Sequence, residues 1–570
     1  MSFEKLFSPI KIRELELRNR VVMSAMGTHE SAASEDGRMV TDKLIAYHVA
    51  RAKGGCGLNT IEVCSVDAAS APTGFLSIAD DRYIPGMKKL CSAVHAAGGR
   101  VAVQLWQGGL AVASDPQAQI LLPSDMPLSP EYTVPGITEE RIQSVIEAFG
   151  QAARRVVEAG IDVIEFHCAH NYLPHSFLSG GINRRTDGWG GSFENRKKFP
   201  LACIQAIRAN MPEGMPLFMR IDCQDDMLEG GLTIEEVIDF CKCAGDAGVD
   251  VLNISRGNIL TAATVYEVAP VDIPHGFNVE PAARIRRETG LLTMPCGRIN
   301  TPEMAEDILM QDKADLVVMA RAQLADPEFC NKAKAGKLNS IKYCIGCDQG
   351  CYDYFYYGLN DPKYEHITCM RNPALGEEDT RSLTPTQTPK KVLIAGTESC
   401  GKTTLTKCLA KLFNTSWSEE VGRYYAEIYL GGDESIFTDE DFGRMAHLQA
   451  EQDYQAMRTA NKVCFFDTDA VVTDYYSELY MGHRNKLVEA YINPDRYDVL
   501  LYLMPDVAWV SDGMRLNGDQ TRRESLNDHL MHMYEEFGFK DKMLVIRGDY
   551  NQRLPAAINV VDNMLNLPQK

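Results

Sequence analysis

Four cysteines, Cys344-x2-Cys347-x3-Cys351 and then Cys369 in Cys369-Met-Arg-Asn-Pro, are the most chemically pointed feature of the chain. Three thiolates from one tight turn and a fourth from a later loop can hold an iron–sulfur cluster. The same residues also admit a structural zinc site or unrelated buried cysteines. A second motif follows, Gly396-Thr397-Glu398-Ser399-Cys400-Gly401-Lys402-Thr403, of the form GxxxxGK[ST], continuing into Thr404. Its backbone N–H groups suit the phosphates of ATP, Lys402 reaches the outer phosphates and Thr403 can ligate magnesium. Phe465-Phe-Asp467-Thr-Asp469 closes a later apolar run and offers carboxylates to magnesium or to a substrate hydroxyl. One chain therefore carries residues for redox chemistry and residues for phosphotransfer.

Elements must position these groups. Up to residue 335, short apolar strands (around Val101, Val163, Leu217, Val251 and Leu316) alternate with helical stretches such as Glu139 to Ala159. That alternation predicts parallel strands with crossover helices, at a size that suits a TIM (β/α)8 barrel. Residues 336–375 form the cysteine segment. Residues 376–389, polar and proline-containing, read as a linker. Residues 390–570 open with the strand Lys391-Val-Leu-Ile-Ala, the phosphate loop and a helix from Lys402, an α/β P-loop domain. The 570 residues suit several domain-sized units, and 45% hydrophobic content supplies large cores. A net charge of -20 argues against a nucleic-acid or anionic-membrane partner. The start, Met1-Ser-Phe-Glu-Lys-Leu-Phe, has no signal-peptide pattern, no run is long enough to span a bilayer, and scattered cysteines suit a reducing cytoplasm.

Arg18-Asn-Arg-Val-Val-Met-Ser-Ala-Met-Gly-Thr28, Gln104-Leu-Trp, His167-Cys-Ala-His170-Asn-Tyr172-Leu-Pro-His-Ser-Phe-Leu-Ser179 and Asn183-Arg-Arg-Thr-Asp-Gly-Trp-Gly-Gly resemble the old yellow enzyme family. With the cysteine segment added, the resemblance is to its iron–sulfur branch, which includes 2,4-dienoyl-CoA reductase and trimethylamine dehydrogenase. It implies an NAD(P)H-linked, FMN-binding barrel with a [4Fe–4S] cluster on Cys344, Cys347, Cys351 and Cys369. It places Ala25, Met26, Gly27, Thr28, Gln104, Arg220, Gly297, Arg298, Ala320 and Arg321 at the flavin, with Gln104 and Arg220 at the edge that gains charge on reduction. Tyr172 is then the proton donor and His167 and His170 polarise an activated alkene or amine substrate, unless one histidine is a satisfied core residue. Gln107-Gly-Gly-Leu110 departs from the family's His-Ala-Gly-Arg run, which leaves the substrate open. The dinucleotide domain that normally follows the cluster is replaced by the phosphate loop. Electrons are then expected from NAD(P)H directly or from an electron-donor protein; a homo-oligomer is also admitted.

Glu419-Glu-Val-Gly-Arg423, Gly431-Gly-Asp-Glu434, Pro505-Asp-Val-Ala-Trp509-Val-Ser-Asp512-Gly-Met-Arg515 and Arg522-Arg523 resemble the nicotinamide-riboside kinase domain of the bacterial NAD-biosynthesis regulator. The resemblance implies transfer from Mg-ATP to nicotinamide riboside, with Asp467 and Lys402 catalytic and Asp469 and Asp512 on the ribose. Trp509 stacks on the pyridinium or is a core residue, and Arg515 and Arg523 lie at the transferring phosphoryl group. Another nucleoside kinase is the alternative. The expectation is a bifunctional enzyme; the competing one has a single catalytic half joined to a nucleotide-binding or docking module.

Overall fold

The structure is a computed structural model that describes residues 3–354, 366–380, 388–507 and 520–566. It divides into two compact units, residues 1–381 and 382–570.

In the first unit eight parallel strands follow one another around a nearly closed barrel: β1 Val21–Met23, β2 Leu58–Ser65, β3 Val101–Trp106, β4 Val163–Cys168, β5 Leu217–Asp222, β6 Val251–Ser255, β7 Leu292–Pro295 and β8 Val317–Val318. The sheet runs β7-β6-β5-β4-β3-β2-β1-β8. The Asp315 and Leu316 N–H groups donate to Thr293 O at 3.0 and 3.2 Å and bring β8 up to β7. Strands β3, β4 and β5 are buried along their whole length, as parallel strands covered by helices must be. The covering helices start on side-chain caps: Thr138 accepts from the Arg141 N–H, and Thr233 and Glu236 form a capping box.

Side chains alternate along a strand, so every second residue faces the barrel axis. The lowest layer is apolar: Val22, Leu58, Ala102, Val163, Phe218, Val251 and Met294 form one cluster with Ile12 and Leu17 of the hairpin Ile10–Ile12/Leu15–Leu17, which plugs the barrel floor. One step up lies a polar layer. Glu165 accepts from Gln104 Nε2 at 2.5 Å and from Asn253 Nδ2 at 2.8 Å, tying β3, β4 and β6 together. His167 pairs in register with Arg220, and Arg220 with Asn253, so the functional side chains stand at the C-terminal ends of adjacent strands.

The stretch expected to be linker from residue 376 begins as part of the barrel unit. Arg51, fully buried, donates to Glu378 Oε1 at 2.5 Å and to Tyr47 O at 2.8 Å, and its guanidinium lies 3.9 Å over the Tyr47 ring. The Gly376 N–H donates to Glu378 Oε2 at 2.9 Å. A polar, proline-containing sequence carries no sign of one buried carboxylate.

In the second unit five parallel strands, β9 Lys390–Ala395, β10 Trp417–Ser418, β11 Val463–Asp467, β12 Val499–Leu503 and β13 Met543–Ile546, run in the order β10-β11-β9-β12-β13. Apolar clusters cover both faces, one built on Leu393, Phe466 and Tyr502 and the other on Val392, Phe465 and Leu501. Adjacent residues of each strand divide between the faces. No helix among the described residues is long and apolar enough to cross a membrane.

Removing one partner of a buried ion pair strands the other charge and costs roughly 3–5 kcal/mol. Arg51→Met should therefore lower the unfolding free energy of the barrel unit by about that amount in denaturant titration, and Glu378→Gln by less, because its amide can still accept from Arg51.

Candidate functional site

A cavity of about 530 Å³ opens at the C-terminal end of the barrel strands. Its wall brings together Ala25, Met26, Gly27, Gln104, Arg220, Gly297, Arg298, Ala320 and Arg321 with His167, His170 and Tyr172. These come from six different strand ends and their loops. Thr28 is not on the wall. Its N–H and Oγ1 both donate to the buried Glu62 Oε2 at 2.7 Å, so it fixes the strand-end loop from behind. Arg220 donates to Ser24 Oγ at 2.8 Å and to Ser255 Oγ at 3.1 Å, a cation held in place at the cavity edge. Gly297 has φ of +130°, and a Cβ there would lie 3.0 Å from the Phe277 ring, so the backbone passes close to the wall only as glycine. Arg298 donates to Val271 O at 2.7 Å, and Arg321 pairs with Asp348.

His167, His170 and Tyr172 form one aromatic group, with ring centroids 5.2 Å apart for the two histidines and 4.7 Å for His167–Tyr172. Burial, reinforced by the Arg220 charge, holds both histidines well below their ordinary pKa, so both rings are neutral. Burial and then the nearby Glu267 carboxylate keep the Tyr172 phenol protonated. His170 Nε2 lies 2.8 Å from Ser255 Oγ. Because that oxygen already accepts from Arg220, the Ser255 proton is available to His170 Nε2, which assigns the imidazole proton to Nδ1, 3.3 Å from Glu267 Oε1. Glu267, pushed up to about 7 mainly by burial, was not singled out from sequence; it lies 95 residues beyond Tyr172 with no motif around it.

The turn carrying these groups is strained. His170 and Asn171 both have left-handed φ, +60° and +59°. Behind it His175 stands between two buried carboxylates, 3.2 Å from Asp222 Oδ2 and 2.9 Å from Asp225 Oδ1. Asp222 Oδ2 also accepts the His170 N–H at 2.6 Å. Burial alone would discharge His175, but Asp225 and Asp222 outweigh it and raise the ring to about 10, while the imidazolium holds Asp225 down at about 2.

Cys344 and Cys351 lie on the cavity wall, and Cys369 is close enough for its thiol to feel Cys344 and Cys347. Gly346 and Asp348, at φ of +68° and +57°, make the tight turn. All four thiols are free and partly buried. Among the described residues, no group of three or more His, Cys, Asp or Glu side chains is placed to hold a metal ion as it stands. The donor chemistry and neighbourhood suit a cluster; the ligating arrangement itself is not formed.

In the second unit a cavity of about 210 Å³ lies against the phosphate loop. Glu398, Ser399, Gly401, Lys402, Thr403 and Thr404 line it, while Gly396, Thr397 and Cys400 form the loop behind. Gly396, at φ of +148°, would place a Cβ 2.6 Å from Leu503 O. Lys402 donates to Thr397 O at 3.1 Å. Asp467 is buried beside Thr403, and burial, then Glu420, raise it to about 7 against the pull of Lys402 and Thr403. Thr397 Oγ1, Ser399 Oγ and Thr468 Oγ1 are buried without partners, the pattern expected of a site built for a polar ligand.

Asp469 does not reach this cavity. Its Oδ1 caps the helix Ala470–Met481 through the Val471 and Val472 N–H groups and accepts from Tyr534 Oη at 2.6 Å. Arg523 is buried with its guanidinium on Val507 O at 3.4 Å, also off the wall. Trp509, Asp512 and Arg515 lie outside the described residues. The cavity instead carries Glu420, Phe437, Phe442, Tyr476 and Tyr480, which sequence reasoning did not single out as site residues.

Comparison with known proteins agrees with both halves. The model of the NADH:flavin oxidoreductase / NADH oxidase family matches residues 5–339, and that of an AAA domain matches residues 391–553. The chain is 36% identical over 399 residues to a metal reductase of Desulforamulus reducens, covering 70% of this chain and 58% of the relative. It is 36% identical over 400 residues to an NADH oxidase of Thermoanaerobacter brockii, covering 69% and 60%. The chain thus spans less than two thirds of the length of these relatives. The structure of 2-naphthoyl-CoA reductase in complex with 2-naphthoyl-CoA matches with a TM-score of 0.68 and 22% identity, over 99% of this chain and 87% of that one, a likeness of fold.

A histidine whose folded-state pKa is raised from 6.5 to about 10 adds stability that is fully present below about pH 6.5 and is lost as pH rises through about 10. The gap in thermal midpoint between wild type and His175→Gln should be widest near pH 6 and close towards pH 10.

Proposed function

Because the chain belongs to the NADH:flavin oxidoreductase / NADH oxidase family, we propose that its barrel is an FMN- and NAD(P)H-dependent oxidoreductase for an activated alkene or an amine, and that residues 390–570 are a Mg-ATP-dependent nicotinamide riboside kinase. The observation that carries the redox reading is the convergence on one cavity of a held cation, Arg220, a strand-end amide, Gln104, and three neutral proton-bearing rings.

FMN, when bound, supplies a two-electron carrier that exchanges hydride with NAD(P)H and substrate. Gln104 and Arg220 are placed to meet the ring edge that gains negative charge. The backbone at Gly297 and Ala320, with Arg298 and Arg321, would hold the phosphate beyond β7 and β8, where such barrels commonly bind one. The volume suits a cofactor site. His167, kept neutral and accepting the Ala169 N–H at Nδ1 at 3.3 Å, can donate a hydrogen bond from Nε2 to a substrate oxygen without giving up a proton, while His170 stands beside it as an uncharged wall. Tyr172 holds the proton to be delivered, and Glu267 beside His170 Nδ1 fixes that ring's tautomer. A [4Fe–4S] cluster on Cys344, Cys347, Cys351 and Cys369 remains part of this reading on donor chemistry and on the position of Cys344 and Cys351 beside the cavity. With a P-loop where a dinucleotide domain would follow, electrons reach the barrel from NAD(P)H at the cavity or from a donor protein.

The kinase reading rests on the lysine-bearing loop and the buried Asp467 beside Thr403 and Lys402, a set suited to magnesium and a triphosphate.

Protein purified without oxygen should show a flavin absorbance band and about four irons per chain; one zinc and no iron would remove the cluster. Tyr172→Phe should slow reduction of an enone panel by roughly 10²–10⁴-fold while flavin reduction by NAD(P)H stays near wild type. An unchanged rate would take Tyr172 out of the mechanism. On the other unit, Lys402→Ala should abolish ATP-dependent phosphorylation of nicotinamide riboside and leave the flavin spectrum intact. Wild-type product with other nucleosides alone would keep the kinase and reject that acceptor.

A further inference from the structure

Strand β9 is flanked by β11 on one side and β12 on the other, so the strand order reverses at the phosphate loop, and the crevice beyond such a reversal is where open α/β sheets bind ligands. The 210 Å³ cavity extends from the loop towards the β10 and β11 side, under the helices Val421–Tyr429, Asp439–Thr459 and Ala470–Met481. Its far wall is aromatic. Phe437 stands 5.1 Å from Phe442 and 5.6 Å from Tyr480, and Tyr476 lies 6.4 Å from Tyr480. Its near wall is the loop with Lys402 and Thr403. Glu420 sits between the two.

Glu420 is held there. It ends the turn after β10, and that turn is fixed by a buried side-chain network. Gln449 Oε1 accepts the Val421 N–H at 3.1 Å, its Nε2 donates to Ser418 Oγ at 3.0 Å and to Glu419 O at 3.1 Å, and Ser418 Oγ donates to Asp453 Oδ1 at 2.5 Å. The Glu420 carboxylate is close enough to raise both the Asp467 carboxyl and the Tyr476 phenol and to act on Lys402. Glu420 shares one cavity wall with Lys402 and Thr403 of the loop and with Tyr476 and Tyr480 of the aromatic side. Asp467, by contrast, is 1% exposed and not on the cavity wall, so an acceptor in the cavity meets Glu420 first.

Resting on the phosphotransfer reading above, we propose that this cavity is the acceptor subsite, that its aromatic wall receives a flat ring carried by the acceptor, and that Glu420 is the base for the acceptor hydroxyl. The hydroxyl proton passes to the Glu420 carboxylate. The freed oxygen bonds to the terminal phosphorus of the nucleoside triphosphate as the bond from that phosphorus to the bridging oxygen breaks, and a nucleoside diphosphate leaves. Asp467 and Thr403 are left to magnesium. The acceptor class is a hydroxyl compound bearing a planar aromatic ring, of which nicotinamide riboside is one member.

The test uses the full chain, with Mg-ATP, nicotinamide riboside as probe, and ring-free ribose as its control. Glu420→Gln, close to isosteric, should lower kcat by roughly 10²–10⁴-fold with Mg-ATP affinity unchanged. Tyr480→Ala should raise the KM for nicotinamide riboside about tenfold with the KM for ATP unchanged, and Tyr480→Phe should restore it. Full activity of Glu420→Gln, or loss of Mg-ATP binding in it, would overturn Glu420 as the base, and ribose serving as well as the riboside would overturn the ring wall. If wild type transfers nothing to any acceptor, the kinase reading falls. The subsite is then judged by calorimetry: riboside binding that Tyr480→Ala removes keeps the wall, and no binding removes it too.

Discussion

A charged side chain inside a protein must be paired or discharged, because burial removes the water that stabilises its ionised form. The barrel interior is organised around that constraint. The period-two alternation that puts Ala102, Val163 and Phe218 on its floor puts Gln104, Glu165 and Arg220 one step higher, largely buried at the bottom of the cavity. Burial raises the Glu165 carboxyl above its ordinary pKa, and the Arg220 charge with the Asn253 and Gln104 hydrogen bonds opposes that rise. Arg220 in turn fixes Ser24 and Ser255. An apolar plug below and a paired polar layer above give the cavity a rigid floor whose dipoles are set before any ligand arrives, the condition under which electrostatic stabilisation of developing charge needs least reorganisation.

The same constraint sorts the titratable groups by role. Next to Arg220, burial strips His167 and His170 of charge; one turn away, two carboxylates keep His175 charged. Three histidines within nine residues thus divide into two neutral rings facing the cavity and one imidazolium behind them. The imidazolium offsets Asp222, whose Oδ1 otherwise faces His170 Nε2 at 3.4 Å and would draw a proton onto it. Asp222 also holds the His170 N–H, so the group that sets the turn's left-handed backbone is the group whose charge must be balanced.

What could be read from the chain follows from how local each signal is. Strand ends, the loop Gly396 to Thr403 and the run His167 to Tyr172 are contiguous, so their period and spacing survive without a partner. The barrel came from such runs, and nine of the ten residues expected at the flavin line one cavity. Thr28 is ambiguous because a short polar side chain at a strand end serves equally as a ligand or as a clamp on a buried acid, and here it bonds Glu62, 34 residues away. Asp469 is ambiguous in the same way: an aspartate before a helix reads as a site carboxylate or as a cap, and here it holds the Val471 and Val472 N–H groups and Tyr534. Glu267, Glu378 and Glu420 were invisible for the complementary reason. None carries a catalytic motif around it, and each owes its place to residues on other elements: His170, Arg51, and the Gln449 network.

The barrel and the open five-stranded sheet share one way of building a cavity. In both, parallel strands end together, the backbone turns sharply at glycine (Gly297 in one, Gly396 and Gly401 in the other), and polar groups collect where the strands stop. What differs is the state of those groups. In the barrel the strand-end charges are already paired among themselves, Arg220 with two serines and Arg321 with Asp348. In the P-loop unit three buried hydroxyls, those of Thr397, Ser399 and Thr468, have no partner, and Asp467 has only Thr403 and Lys402 near it to offset its burial. Unpaired buried groups are costly, and a fold retains them where a ligand completes them. A triphosphate with its magnesium brings acceptors for the hydroxyls and a cation for the carboxylate. In the barrel the Glu165 carboxylate and the Arg220 guanidinium already have side-chain partners before any ligand arrives.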